Sequence, residues 1–393
     1  MASSGEDARV CSQSGAHRQR PAPWHERFPL ISPALHLSHA TTAAADGGIA
    51  TMVAELSDAQ QRAGLAVAWE TAAPLPSWRR DRLLLNSVRR RQPGLVHIHG
   101  LWRSPTRIAP QLAAAGLPLV ITPHGMLDPW AMANSRWKKR IVWRLWEQRA
   151  LAAAGCLQAL CPPEVDAIRA LGFNGPVALI PNGVRLPQPD RPLPPPPWAG
   201  RLPEGEKVLL FLGRFHAKKG LVPLLQAWSQ LSEAAGAAGW WLVLVGHGDD
   251  GALQARVQRE RLQRLLVLGP CFGAEKEACL AAADAFVLPS FSEGLPMAVL
   301  EAMSWGLPCL LTEACNLPEA FTAGAALLVT PTSAGLQQGL QALMAMSEPE
   351  RRGIGAAGSQ LVRQRFGWAE VAEATGAVYR WLLGEAPRPD SLL

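Results

Sequence analysis

Two glutamates and a pair of basic residues are the first candidates for chemistry. In "SFSEGLPMAVLEAMSWGLP" (290–308), Glu293 and Glu301 stand around a glycine, a proline and an apolar run. "AFVLPS" (285–290) reads as a buried strand. Pro296 suits the first turn of a helix, because its missing N–H would be unpaired there anyway. Gly306 and Pro308 close that helix. Glu293 then lies in the loop before the helix, and Glu301 lies about a turn and a half inside it, one step off the apolar stripe Pro296, Leu300, Met303. A helix start offers unpaired amides and partial positive charge, which is an anion site. A carboxylate there repels a bare phosphate. It suits a ligand with hydroxyls beside its phosphates, since a carboxylate accepts several hydroxyl hydrogen bonds. That describes a phosphorylated polyol such as a sugar nucleotide. The same spacing also suits a capping glutamate plus a solvent-facing one.

In "FLGRFHAKKG" (211–220) a strand ends at Gly213, and Arg214, Lys218 and Lys219 follow before a helix. Arg214 can grip phosphate bidentately and Lys219 can add a point charge. An ordinary basic loop has the same composition, but this one follows the first strand of its domain, where ligands sit in such sheets. In "TTAAADGGIATMVAEL" (41–56), Gly47 and Gly48 precede an amphipathic helix, so they are either a plain turn or a close backbone approach to a phosphate or sugar. In "LVITPHGMLDPW" (119–130), His124 follows a strand directly and can hydrogen-bond a substrate hydroxyl. His97 and His99 alternate along "VHIHG" and read as core or structural groups. "GHGDDG" (246–251) fits G-x-G-x-x-G, but it follows the second strand of its domain, and the next strand brings no acidic residue for a ribose. This argues against a dinucleotide site. No D-x-D and no G-x-x-x-x-G-K-[ST] occur, so no metal site is expected.

These residues need strands and helices to hold them. "LVHIHG" (95–100), "LVIT" (119–122) and "VALIP" (177–181) read as strands, with helical patterns at 49–63 and 136–154. "PQPDRPLPPPPWAG" (187–200) is a stiff proline-rich linker. The rhythm then restarts. Strands are expected at 207–213, 240–246, 265–269 and 285–290, with helices near 219–232, 251–262, 275–283 and 296–305. Two doubly wound α/β domains would place a ligand between facing strand ends. A chain of 393 residues agrees with two cores. Residues 1–30 lack a continuous apolar stretch and read as a disordered leader rather than a signal peptide. Seven scattered cysteines without C-x-x-C suit a reducing cytoplasm, and no apolar run reaches spanning length. The formal charge of +6 favours anionic partners. "SRWKKRIVWRLWEQRAL" (135–151) carries six basic residues against Glu147, with Trp137, Ile141 and Leu145 along one face. That face either packs on the first sheet or lies on an anionic bilayer.

The chain resembles the retaining glycosyltransferases of the large family 4 group, with the GT-B fold of two Rossmann-like domains facing across a cleft. The matching pieces are "GGIATMVAEL", "TPHGMLDPWAM", "IPNGV", "LGRFHAKKG", "VGHGDDG" and "SFSEGLPMAVLEAM", in order from about residue 40 to residue 384. The resemblance implies an acceptor-side domain over 31–186, the linker 187–200, a nucleotide-sugar domain over 201–365, and a terminal helix in 366–393 that crosses back to the first domain. It implies that Arg214 and Lys219 hold the donor diphosphate and that Glu293 contacts the donor sugar. Gly294, Leu295 and Met297 would offer backbone amides, and Glu301 would hold the ribose. Gly47, Gly48, Gly213 and Gly246 would line the donor, and His124 would meet the sugar near its sixth carbon. The implied activity is metal-independent hexosyl transfer from a nucleotide-diphosphate sugar to a glycan or lipid-linked acceptor in cell-surface polysaccharide or lipopolysaccharide synthesis. It needs no cofactor and no nucleic acid, and it takes place in the cytoplasm or on the inner membrane face. Two departures stand out. "GHGDDG" carries a histidine where the family usually has an acid, and "TEACNLPE" (312–319) is only loosely similar. Two other readings share the architecture, a sugar-nucleotide epimerase or hydrolase and a non-catalytic partner subunit. The first would need more positioned carboxylates in the N-terminal domain than Asp46 and Asp128, and the second would tolerate loss of Arg214, Lys219 and Glu293.

Overall fold

The computed structural model describes residues 33–39, 48–72, 75–76, 78–128, 132, 136–188, 190–248 and 250–393. The expected leader (1–30) and Gly47 lie outside the described residues. Among the described residues, twelve parallel strands form two six-stranded sheets. The first has the order β2-β1-β3-β4-β5-β6, from β1 (Ala34–Ser38), β2 (Val67–Thr71), β3 (Leu95–His99), β4 (Leu119–Thr122), β5 (Cys156–Ala159) and β6 (Val177–Leu179). The second has the order β12-β11-β10-β7-β8-β9, from β7 (Lys207–Leu212), β8 (Trp240–Val245), β9 (Leu265–Leu268), β10 (Ala285–Leu288), β11 (Cys309–Leu311) and β12 (Ala326–Leu328). Helices cover both faces, so the inner strands are nearly continuous apolar runs such as "WWLVLV". The winding reverses between β1 and β3 in one sheet and between β7 and β10 in the other. A crevice opens at each reversal, beyond the carboxyl ends of the strands.

Two local expectations need correction. Pro296 is the N-cap, with φ −79° and ψ 97°, and the helix begins at Met297. Its carbonyl accepts from Val299 N, so the proline sets the helix entry from outside the first turn. The helix 136–154 is not uniform. Arg136–Val142 leads into a π-helical turn, Trp143–Glu147, before Gln148–Ala152 resumes the α form. The wide turn brings Glu147 fully into the interior, where its Oε2 accepts from Trp102 N and Thr106 Oγ1, both at 3.1 Å. Burial raises this carboxyl to about 7.

The segment 187–200 has no strand or helix among its described residues, and Trp198 is buried in the second core. The last helix, Trp368–Leu382, packs on Gly48–Arg62, with Val371, Ala372 and Tyr379 against Met52, Val53 and Leu56. Trp368 Nε1 donates to Glu55 at 2.9 Å, and Leu393 pairs with Val177 at the edge strand β6. No helix among the described residues is long and apolar enough to cross a membrane.

Candidate active site

The reversal between β7 and β10 collects the basic and acidic candidates. β7 ends at Leu212, and the chain turns through Gly213 and Arg214 into a short 3₁₀ turn, Ala217–Lys219. Gly220 follows at φ +69°, and a Cβ there would lie 1.9 Å from the Pro289 carbonyl oxygen. This contact presses the basic loop against the end of β10. Lys219 Nζ then reaches Glu293 Oε1 at 2.6 Å, and Ser290 Oγ donates to the same oxygen at 2.5 Å. Glu293 is 7% exposed. The carboxylate at an anion-attracting helix start is therefore neutralised by its own lysine. The pair can present an oxygen to hydroxyls without repelling a neighbouring phosphate.

Arg214 and Lys218 complete the basic group. Burial lowers the Lys218 ammonium from its ordinary value; Glu293 opposes this, and Lys219 and Arg214 add to it. Three cations thus share one loop, with Arg214 exposed. Gly213 and Gly246 were expected to line a ligand, and their packing gives them a structural reason as well. A Cβ on Gly246 would stand 1.8 Å from the Gly213 carbonyl oxygen, so the loops after β7 and β8 touch through backbone. Gly248 packs on Phe215 in the same way, which accounts for the first two glycines of "GHGDDG", whereas Gly251 has nothing within 4 Å of where a Cβ would be.

Glu301 lies elsewhere. It is held by Lys276 Nζ at 2.6 Å and faces a cavity of about 310 Å³, lined also by Thr51, Glu55, Arg185 and Met297. That cavity lies between the helix Gly48–Arg62 and the helices of the second sheet. Glu293 and Glu301 thus stand in separate parts of the cleft, each with its own lysine. Gly294, Leu295 and Met297 are half-buried between them. Gly48 opens its helix with nothing within 4 Å of where a Cβ would be, so packing does not require a glycine there.

The first domain closes the site through 123–128. A Cβ on Gly125 would stand 3.4 Å from Gly294 Cα, and Ser292 Oγ donates to Asp128 Oδ1 at 3.1 Å. His124, at φ +55°, is thereby brought beside the Glu293 loop. Its Nε2 is 3.2 Å from His99 Nδ1, His99 Nε2 is 2.8 Å from His36 Nδ1, and His36 Nε2 is 2.7 Å from Gln60 Oε1. An amide oxygen only accepts, so the protons of this chain are assigned in sequence. His36, His99 and His124 each carry hydrogen on Nε2, and His124 Nδ1 keeps a lone pair. Tyr379 donates to His97 Nδ1 at 2.6 Å, and His97 Nε2 donates to Thr122 Oγ1 at 2.7 Å. Burial lowers His36 to about 4 and His124 to about 3, and holds His97 and His99 well below the usual imidazole range. Donor atoms of His36, His97 and His99 lie within 4.8 Å of one another, close enough to share an ion. Yet every ring nitrogen of the three already has a hydrogen-bond partner, so the cluster reads as a structural relay.

Four further residues hold the site. Lys218 and Lys276 supply cations. Asn316, at φ +56°, donates to the carbonyls of Glu293 and Gly294 at 2.6 and 3.0 Å. The buried Glu164 accepts from Gly125 N at 2.5 Å and Leu160 N at 2.8 Å, which pins the His124 turn. Burial raises the Glu164 carboxyl against those two bonds. Asn316 falls in the segment whose likeness to the family pattern is loose, and its left-handed backbone has no mark in sequence beyond the residue type.

Two family models match, "Glycosyl transferase 4-like domain" over residues 65–183 and "Glycosyl transferases group 1" over 206–346, together more than half of the chain. A relative from Escherichia coli, UDP-Gal:alpha-D-GlcNAc-diphosphoundecaprenol alpha-1,3-galactosyltransferase, is 30% identical over 58% of this chain and 60% of its own. The chain spans 59–64% of the length of the first curated relatives it matches. Among solved structures, sucrose-phosphate synthase from Thermosynechococcus elongatus has a TM-score of 0.72 at 21% identity, over 90% of this chain and 100% of its own. The Anabaena protein HepE, solved with UDP and glucose, has a TM-score of 0.67 at 17% identity, over 88% and 99%.

Proposed function

The chain belongs to the group 1 glycosyl transferases of the GT4 type, with the GT-B fold, and from that premise we propose that it is a retaining hexosyltransferase. It moves a hexose from a nucleoside-diphosphate sugar to a glycan or lipid-linked acceptor, in the synthesis of a cell-surface polysaccharide or lipopolysaccharide. It works in the cytoplasm, peripheral to the inner membrane face. One observation carries the reading. The Lys219–Glu293 pair stands at the β7/β10 reversal, beside Arg214 and Lys218 and opposite the His124–Gly125 turn. The named activity of the galactosyltransferase relative supports the donor and acceptor classes, and the UDP complex of HepE supports the nucleotide.

In this reading the diphosphate lies over Arg214, Lys218 and Lys219. The bond from the anomeric carbon to the phosphate oxygen breaks, and negative charge builds on the departing diphosphate. Preorganised cations stabilise that charge more in the transition state than in the ground state. The acceptor oxygen bonds to the anomeric carbon from the leaving-group face, and its proton passes to a phosphate oxygen. Glu293 takes hydroxyls of the donor sugar on the oxygen not shared by Lys219 and Ser290. His124 Nδ1 accepts from a sugar hydroxyl. Amides of Gly294, Leu295 and Met297 meet sugar and phosphate, and Gly48 lets the backbone approach the diphosphate. Glu301 and Lys276 hold the ribose side.

The separation of the two glutamates supplies the test. Glu301→Gln should weaken binding of UDP or GDP alone, whereas Glu293→Gln should leave that binding nearly intact and lower transfer. Calorimetry with each nucleotide would show the reverse pattern if the roles are exchanged. Donor incubated without acceptor should return its sugar unchanged; an altered sugar would point to an epimerase or hydrolase instead.

The charge clamp here is made of side chains, so transfer should survive EDTA. Complete loss of activity, restored by magnesium or manganese, would overturn the metal-independent part of the reading.

A further inference from the structure

We propose that the outer face of the helix 136–152 docks on an anionic lipid bilayer. Trp137, Ile141 and Leu145 are 66%, 50% and 59% exposed. They recur every fourth residue and therefore form one row on the helix surface. Large apolar side chains grouped on a surface mark an interaction site more often than scattered ones do. The interior is served by other residues of the same helix: Glu147, Ala150 and Leu151 are buried, and Trp143 packs on the first core. The outward row is thus surplus to the packing of the fold.

Charge identifies the occupant. Between residues 78 and 149 the chain has fourteen Lys and Arg against three Asp and Glu, a surplus larger than the +6 of the whole chain. None of the three acids is available to offset the row. Asp81 is paired with Arg107 at 2.5 Å, Asp128 accepts from Ser292 in the cleft, and Glu147 is fully buried. Lys138, Arg140 and Arg144 are exposed beside the apolar row. An apolar row with tryptophan at its end and basic residues on both flanks matches the interfacial zone of a bilayer with anionic headgroups.

Position gives the surface its use. The same helix, through Lys138, Lys139 and Val142, walls a cavity of about 580 Å³ that also meets Gly48, Ile49, His99 and Met126, so Lys138 stands at the rim between cavity and outer face. A helix lying on the bilayer would hold that cavity over the headgroups. The saccharide end of a lipid-linked acceptor could then enter from the membrane while its chain stays in the lipid. The proposal rests on the transferase reading for this purpose, but not for the binding itself.

Vesicle sedimentation with the full chain, without donor or acceptor, tests it. Wild type should pellet with phosphatidylcholine vesicles containing phosphatidylglycerol at low salt, stay in the supernatant with phosphatidylcholine alone, and be released as salt rises. Lys138→Gln/Arg140→Gln/Arg144→Gln should lower the partition coefficient roughly a hundredfold, at about 1 kcal/mol per charge. Trp137→Ser/Ile141→Ser/Leu145→Ser should abolish pelleting. Both variants should keep the wild-type Tm and UDP affinity, which separates loss of docking from loss of fold or of donor binding. Wild type remaining in the supernatant with anionic vesicles would overturn the proposal. So would equal binding to neutral vesicles, or a wild-type dimer that the apolar variant dissolves, which would assign the face to a second copy of the chain. UDP binding or transfer that fails while pelleting persists would count against the transferase reading alone.

Discussion

Alanine at Arg214 or at Lys219 should each lower turnover about 10²- to 10³-fold while the protein stays folded, the usual cost of one transition-state charge contact of about 2.7–4 kcal/mol. The two losses should not be equal in kind. Arg214 is exposed, so its removal takes away one cation and leaves nothing buried unpaired. Lys219 is bound to Glu293 at 2.6 Å in a site where the carboxylate is 7% exposed. Removing Lys219 leaves that carboxylate without its cationic partner, held by Ser290 Oγ alone on that oxygen, at the place proposed for the diphosphate. Lys219→Ala should therefore also weaken binding of UDP alone. Adding Glu293→Gln to Lys219→Ala should recover part of that nucleotide affinity, because the unpaired charge is gone, while transfer stays low. Stopped assays with saturating donor, together with calorimetry on wild type, Arg214→Ala, Lys219→Ala, Glu293→Gln and the double variant, read both effects. Unchanged turnover in both single variants would remove these residues from the reaction, and a strictly additive double variant would remove the coupling between lysine and glutamate.

This coupling shows what could be read in sequence. Strands such as "WWLVLV" and "LVIT" are buried on both faces, so their apolar runs name them directly. β1 did not stand out, because "ALHLS" places His36 in the middle of a fully buried strand. His36 is tolerable there only because His99 and Gln60, distant in sequence, take both ring nitrogens. β11 and β12 are three residues each, too short for any periodicity. The same distinction runs through the site. Glu293, Arg214 and Lys219 lie in segments whose local pattern points to a ligand. Lys276, Asn316 and Glu164 act through partners 25, 23 and 39 positions away, and nothing local marks them. The row Trp137, Ile141, Leu145 is legible as a row, but which way it faces is not, because that depends on which other residues of the helix, here Glu147, Ala150 and Leu151, the fold buries.

The relay of histidines predicts a steep acid limit. His36 is held at about 4 and His124 at about 3, against about 6.5 for an imidazole in the unfolded chain. Between those values the unfolded chain binds protons that the folded chain refuses. Stability is therefore fully present above about pH 6.5 and is lost as pH falls through that window toward 4. For His36 alone the loss is about 3 kcal/mol at one pKa unit per 1.36 kcal/mol. His97 and His99 act in the same direction. Glu147 acts oppositely: its carboxyl is raised to about 7, so its burial penalty is relieved as pH falls from 7 toward 4.5, by about the amount that one histidine loses. Glu55, Glu164 and Asp284 are raised by burial as well and add to that relief. Four histidines against one strongly raised carboxyl leave a net loss of several kcal/mol, a large part of the roughly 5–15 kcal/mol that holds a typical protein folded. Tm should be nearly level from pH 8 to 6.5 and fall steeply below 6. Glu147→Gln, which keeps an acceptor for Trp102 N and Thr106 Oγ1, should raise Tm at pH 8 and leave it nearly unchanged at pH 5. A Tm that stays level from pH 7 to pH 4.5 would mean that the buried imidazoles take up protons in place, and the directed chain from His124 to Gln60 would then have to be abandoned.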